Sequence, residues 1–190
     1  MRRGGGKSKG THFERKICYQ LCAWWFGEPD AEDGFWRSHA SGARATNRAK
    51  KGKDTTNQAG DICATRKECE PLLRYTTIET KCGRNKADPF ALVDSKNNNE
   101  FGAFVKQARL ASRIAEVSFW WIIHKRDYKE VMIYFPTSMY YFLCRRGSSV
   151  KSTRMVAFAG KANGVRVKFI GMRFDDFLAR VDPKVFGKKE

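Results

Sequence analysis

Acidic residues are scarce in this chain of 190 residues, which has 20 Asp and Glu against 37 Lys and Arg. The resulting formal charge of +17 is costly to maintain without a polyanion, so nucleic acid is the first candidate partner. Long apolar runs are also missing, since no stretch approaches the roughly 18 consecutive apolar residues of a membrane span. Residues 1–6 lack the apolar segment of a signal peptide. We therefore expect a cytoplasmic protein that has no membrane partner.

Cysteine and histidine are too few and too scattered for a disulfide framework or a zinc site. The six cysteines show no paired C-x-x-C spacing, and the three histidines lie far apart in the chain. We expect reduced, mostly buried thiols. A hydrophobic fraction of 42% is enough for a core, so the low mean hydropathy reflects a charged surface rather than disorder.

Positive charge is concentrated in two stretches that contain no acid. Residues 37–53 are rich in Gly, Ala and Ser and have no periodicity, so we expect a mobile basic loop that binds DNA phosphates. Its basic residues are Arg37, Arg44, Arg48, Lys50, Lys51 and Lys53. The second stretch, residues 131–174, mixes eight basic residues with apolar and aromatic ones and indicates a folded surface that carries only positive charge.

Apolar periodicity predicts one mixed sheet flanked by helices, an α/β fold. Residues 1–10 are predicted to be a disordered basic tail, followed by a single domain over 11–190 with a core at 11–135 and a C-terminal extension at 136–190. Helices are predicted at 11–26, with Thr11 as N-cap, and at 101–117, 137–146 and 174–181. Strands are predicted at 35–38, 60–65, 72–82, 118–124, 130–135, 155–159 and 165–170. We expect the strands 60–65 and 72–82 to pair as a β-hairpin.

Two carboxylates and one amine lie on this predicted strand pair. Alternation along a strand sends Glu79 and Lys81 to the same face, and Asp61 opens the neighbouring strand after Gly60. Asp61 and Glu79 could then converge on one hard cation. Mg²⁺ is typically held by one or two carboxylates together with substrate phosphate, so the pattern suits hydrolysis of a phosphodiester. Glu-x-Lys alone is weak evidence, because exposed strands often alternate the two charges.

The combined motifs resemble the PD-(D/E)xK nuclease superfamily. They are Glu14 on the first helix, Gly60-Asp61, Glu79-Thr80-Lys81 and Gln107 on the following helix. Within the superfamily the chain looks closest to archaeal-type and phage Holliday junction resolvases, which begin with a similar Lys-Gly-x-x-x-Glu-Arg, here residues 9–15. Gly60 stands where the superfamily name has Pro. The resemblance covers about residues 9–135 and implies a restriction-endonuclease-like fold.

The resemblance also implies residue roles. Asp61 and Glu79 would bind Mg²⁺, for which Mn²⁺ can substitute, with help from the carbonyl of Thr80. Glu14 would approach the metal from the first helix, and Gln107 would support the site from the second. Lys81 would be the catalytic lysine. Ser41 would approach the scissile phosphate from the basic loop.

We therefore expect a magnesium-dependent endonuclease that cuts branched DNA, acting in the host cytoplasm if the chain is phage-encoded. Other readings stay open: a nuclease of the same fold that acts in repair, restriction or phage DNA processing, or a non-catalytic nucleic-acid-binding protein. A four-way junction has two strands to cut, so we expect a two-fold homodimer. The apolar segments 134–143 and 155–158 are candidate dimer contacts, unless they complete the core of the monomer.

Overall fold

The computed structural model describes residues 5–38, 59–83, 85–93, 100–162 and 164–187. Within these ranges the helices are α1 (Gly5–Phe26), α2 (Glu70–Leu73), α3 (Glu100–Ile114), α4 (Thr137–Arg145) and α5 (Phe174–Arg180). The strands are β1 (Phe35–Arg37), β2 (Ile62–Ala64), β3 (Thr76–Cys82), β4 (Phe119–Lys125), β5 (Val131–Pro136), β6 (Met155–Ala162) and β7 (Val165–Arg173). Short 3₁₀ turns lie at Lys67–Cys69, Pro89–Leu92, Ser149–Ser152 and Pro183–Phe186.

Five of these strands form one mixed sheet in the order β3-β4-β5-β7-β6. β3 and β4 run parallel, as their connection through α3 requires, and the other neighbours are antiparallel. β3 is therefore an edge strand. β1 and β2 pair separately as a two-stranded antiparallel sheet beside it.

Alternating residues of the central strand β4 divide the core into two layers. Trp121 and Ile123 pack in the cluster that includes α1, α4 and α5, whereas Trp120 and Ile122 pack in the cluster that includes α3. A strand that is apolar on both faces is the signature of a sheet covered on both sides. The α/β fold with a mixed sheet flanked by helices is thus confirmed.

The predicted hairpin between residues 60–65 and 72–82 is wrong. β2 pairs with β1, and β3 pairs with β4, so the two segments belong to different sheets. One backbone hydrogen bond still links them, from the N–H of Asp61 to the carbonyl of Ile78 at 2.7 Å. β3 pairs with β4 rather than with residues 60–65 because this pairing buries the apolar residues of β3 and β4 together in a continuous core.

The first helix begins earlier than its sequence signals predict. α1 starts at Gly5, so Thr11 is an interior residue rather than an N-cap, and residues 5–10 are helical instead of a disordered tail. Lys9 forms an ion pair with Asp127 in the β4–β5 turn, and this contact ties the extra turns to the body of the protein.

The C-terminal third of the chain completes the same sheet. β7 pairs with β5 over five residues and β6 closes the far edge. The apolar segments offered as dimer contacts contribute Phe135, Met139, Leu143 and Phe158 to the core, whereas Tyr141 and Val156 are exposed. Among the described helices none is long and apolar enough to cross a membrane.

Candidate active site

Glu79 and Lys81 share one face of the edge strand β3, as alternation predicts. The ammonium of Lys81 donates to Oε2 of Glu79 at 2.9 Å and lies 3.7 Å from Oδ2 of Asp61. Glu79 and Asp61 are buried, whereas 16% of the Lys81 side chain is exposed. An amine thus bridges two carboxylates at the point where they meet solvent.

Asp61 is positioned by contacts with the backbone of β3. Its Oδ2 accepts two hydrogen bonds from Thr80, one from the backbone N–H at 2.9 Å and one from the side-chain hydroxyl at 3.4 Å. Gly60 makes the approach possible: its φ is +84°, and a Cβ at this position would lie 2.7 Å from the carbonyl oxygen of Ile78. Proline cannot adopt this φ, which explains why Gly60 stands where the superfamily name has Pro.

Helix α3 supplies a third group to the site. The side-chain amide of Gln107 donates to Oε2 of Glu79 at 2.6 Å. Phe104, one turn earlier, lies 5.8 Å beneath the ammonium of Lys81 and attracts it by a cation–π interaction. The sequence pattern indicated Gln107 but carried no signal for Phe104, whose spacing fits any core face.

Burial raises the pKa of Glu79 to about 7. The neighbouring carboxylate of Asp61 adds to the rise, and the ammonium of Lys81 opposes it. Burial and the nearby Asp61 carboxylate together make ionisation of Glu79 costly in the metal-free site.

A divalent cation fits this arrangement. It would attract both carboxylates and favour the ionised form of Glu79, which burial disfavours. Among the residues that the structure describes, no group of three or more His, Cys, Asp and Glu side chains is arranged to hold a metal ion. Mg²⁺ needs only one or two carboxylates when waters and substrate phosphate complete its octahedron.

Glu14 and Arg37 form an ion pair with each other on the neighbouring elements α1 and β1. The structure therefore gives Glu14 a cationic partner, and it brings Asp61, Glu79, Lys81 and Gln107 together without Glu14 among their direct contacts. Metal binding by Glu14 and phosphate binding by Arg37 stay predictions. No feature of the sequence indicated that these two side chains pair.

The remaining predicted DNA contacts lie outside the described residues. They are Ser41, Arg44, Arg48, Lys50, Lys51 and Lys53, all within 39–58. Their roles stay predictions.

Comparison with known proteins identifies the family. The family model described as "Phage putative PDDEXK endonuclease" matches residues 5–188, which is nearly the whole chain. No curated protein and no solved structure matches. The match confirms the resemblance to the PD-(D/E)xK superfamily and extends it through the C-terminal strands β6 and β7. The chain belongs to this phage PDDEXK endonuclease family, and its class is that of a nuclease of the PD-(D/E)xK type.

Proposed function

We propose that the protein is a magnesium-dependent DNA endonuclease that hydrolyses phosphodiester bonds at Asp61, Glu79 and Lys81. The observation that supports this most directly is the convergence of two buried carboxylates and a lysine ammonium at the edge of the sheet. Asp61 comes from a segment that precedes β2, whereas Glu79 and Lys81 lie on β3, so local sequence alone does not bring Asp61 to the other two. The phage family makes the host cytoplasm the proposed place of action.

Asp61 and Glu79 would hold Mg²⁺ or Mn²⁺, and the carbonyl of Thr80 is proposed as a third ligand. The bound ion supplies a Lewis acid that stabilises charge on the phosphoryl oxygens and lowers the pKa of a water. Lys81 orients the attacking water and neutralises the charge that develops on the phosphate. Gln107 holds the carboxylate of Glu79 in place through its amide.

Cleavage assays with purified protein test this proposal. Four-way junction, linear duplex and single-stranded DNA are each incubated with Mg²⁺ or with EDTA. We expect cleavage in Mg²⁺ alone, and loss of cleavage in Asp61→Asn, Glu79→Gln and Lys81→Ala with DNA affinity retained in Ca²⁺. Phosphate contacts elsewhere supply affinity, which is why binding survives.

Glu70→Gln and Lys16→Ala provide matched controls, since both residues are charged and lie on other helices. Cleavage by Asp61→Asn at the wild-type rate would refute the metal site. Binding without cleavage of any DNA by the wild-type protein would favour a non-catalytic nucleic-acid-binding role.

We propose further that the preferred DNA is branched, and that a homodimer cuts it. The support is the resemblance of residues 9–15, 60–61 and 79–81 to junction resolvases, together with the need to cut two strands with one site per chain. Light scattering with and without junction DNA, followed by cleavage of a cruciform in supercoiled DNA, tests both points. A strict monomer that nicks one strand, or equal cutting of linear duplex, would leave a general nuclease of repair, restriction or phage DNA processing.

A further inference from the structure

The outer face of α3 carries a stripe of cations beside an apolar side chain. Lys106, Arg109, Leu110 and Arg113 follow the i, i+3, i+4, i+7 spacing of one helix face. Together with Ala162 and Val165 at the end of the β6–β7 hairpin, they line a groove of about 240 Å³. We call this the α3 groove.

The lining of the α3 groove is positive and apolar and includes no acid. The ion pairs found in the described part of the chain involve none of its three cations. Like charges three and four residues apart on a helix repel each other and destabilise it. Such an arrangement is expected where a polyanion neutralises the charges.

The α3 groove and Gln107 of the candidate active site lie on the same helix. Gln107, which contacts Glu79, precedes Arg113 by six residues, or about 9 Å along a helix that rises 1.5 Å per residue. At about 100° per residue, Arg113 lies about 120° around the helix axis from Gln107, so the groove occupies a different face of α3 from the one that contacts Glu79.

We propose that the α3 groove binds the phosphodiester backbone of the DNA, outside the cleaved phosphate. Lys106, Arg109 and Arg113 contact phosphate oxygens. Leu110 and Val165, whose exposed fractions are 53% and 50%, line the same groove and pack against the deoxyribose. The inference rests on the proposed function in that DNA is the partner. It adds a binding surface separate from the basic loop at residues 37–53.

The test compares two triple variants that remove the same charge. The first is Lys106→Ala, Arg109→Ala, Arg113→Ala; the control is Lys16→Ala, Arg74→Ala, Arg180→Ala, whose exposed residues lie on or at the ends of other helices. Binding to a duplex is measured in EDTA and in Ca²⁺ over a range of salt. We expect the groove variant to flatten the slope of log K against log salt by roughly 2 to 3, since each phosphate contact contributes about 0.9. The control should change it by less than about 1.

Equal slopes for wild-type protein and groove variant, or equal effects of the two triple variants, would overturn the proposal. A change in oligomeric state by light scattering, without a change in slope, would do the same and would mark the face as a protein contact. If the triple variant fails to fold, Arg113→Gln alone is expected to lower the slope by about 0.9. Cleavage is measured separately. If the groove variant flattens the salt slope but the wild-type protein cuts no DNA, the proposal of the α3 groove is supported and the proposed nuclease function is refuted.

Discussion

Gly60 determines whether Asp61 can reach the site. Its positive φ turns the chain toward β3, and the missing Cβ allows the backbone to contact Ile78. The N–H of Asp61 then donates to the carbonyl of Ile78, one residue before Glu79. A conformational requirement at one glycine thus places the two carboxylates side by side.

Gly60→Ala is expected to lower both stability and activity. A left-handed φ costs an alanine roughly 1 to 2 kcal/mol, and the contact with Ile78 adds to this cost. Gly27→Ala is the matched control, because Gly27 has a similar φ of +75° but no atom within 4 Å of an added Cβ. Denaturant unfolding measures both free energies. Equal losses in the two variants, with full cleavage by Gly60→Ala, would contradict the role of the close approach.

The raised pKa of Glu79 makes the stability of the metal-free protein pH-dependent. A carboxyl whose pKa rises from 4.5 to about 7 on folding binds an extra proton in the folded state between these values. Its contribution to stability is present below pH 4.5 and is lost as the pH rises through 7. The expected loss is on the order of 1 to 3 kcal/mol.

Urea unfolding in EDTA at several pH values measures this effect as the difference between wild-type protein and Glu79→Gln, which cannot titrate at this position. The difference should shift in favour of Glu79→Gln as the pH rises from about 4.5 to 7. Mg²⁺ should remove this trend, because the ion binds the ionised carboxylate. A difference that is flat in EDTA would show that Glu79 titrates normally.

At the scale of elements, the β6–β7 hairpin carries like charges directly opposite each other. Lys161 pairs in register with Arg166, and both side chains are exposed. Lys161→Glu is therefore expected to stabilise the fold by about 0.2 to 1 kcal/mol at low salt. Arg166→Glu should do the same, and the double variant should lose the gain. Thermal unfolding of the two single variants and the double variant measures these changes in stability. A gain in stability that is retained in the double variant would exclude a cross-strand charge effect.

Helices and strands could be predicted from periodicity far better than their pairing. The second and third long helices were placed within three residues at each end, since Phe101, Val105 and Ala108 mark one apolar face. The hairpin failed because two neighbouring strand-like segments give no sign of which partner buries more apolar surface. β4 follows 36 residues after β3, and only the sheet as a whole selects this pairing.

In the candidate site, too, the local geometry could be predicted from the sequence and the contacts between distant segments could not. Alternation on β3 predicted that Glu79 and Lys81 share a face, because this depends on local geometry alone. The convergence of Asp61 and Glu79 was expected through a pairing of strands that does not exist, and it arises instead from the backbone turn at Gly60. The ion pair of Glu14 with Arg37 could not be predicted, since it depends on how α1 lies against β1.

At the scale of the whole molecule, the charge of +17 predicts that the affinity for DNA falls steeply as the salt concentration rises. The basic loop is expected to carry part of this dependence. Changing Arg48, Lys50 and Lys51 to Ala should flatten the slope of log K against log salt by up to roughly 2.7 if all three contact phosphates. Filter binding to duplex DNA in Ca²⁺ measures the slope. An unchanged slope would mean that these charges are only a solvated surface.

The far ends of the described chain meet at Trp24. Its indole N–H donates to the carbonyl of Val181 at 2.7 Å, and its ring packs against Phe177 and Phe186. Synthesis must therefore reach residue 186 before these contacts of Trp24 are complete. At 5 to 20 residues per second, this comes roughly 4 to 16 s after Gln107 has been added. A chain that ends before residue 181 lacks this hydrogen bond and the packing against Phe186, so we expect it to be less stable than the full chain.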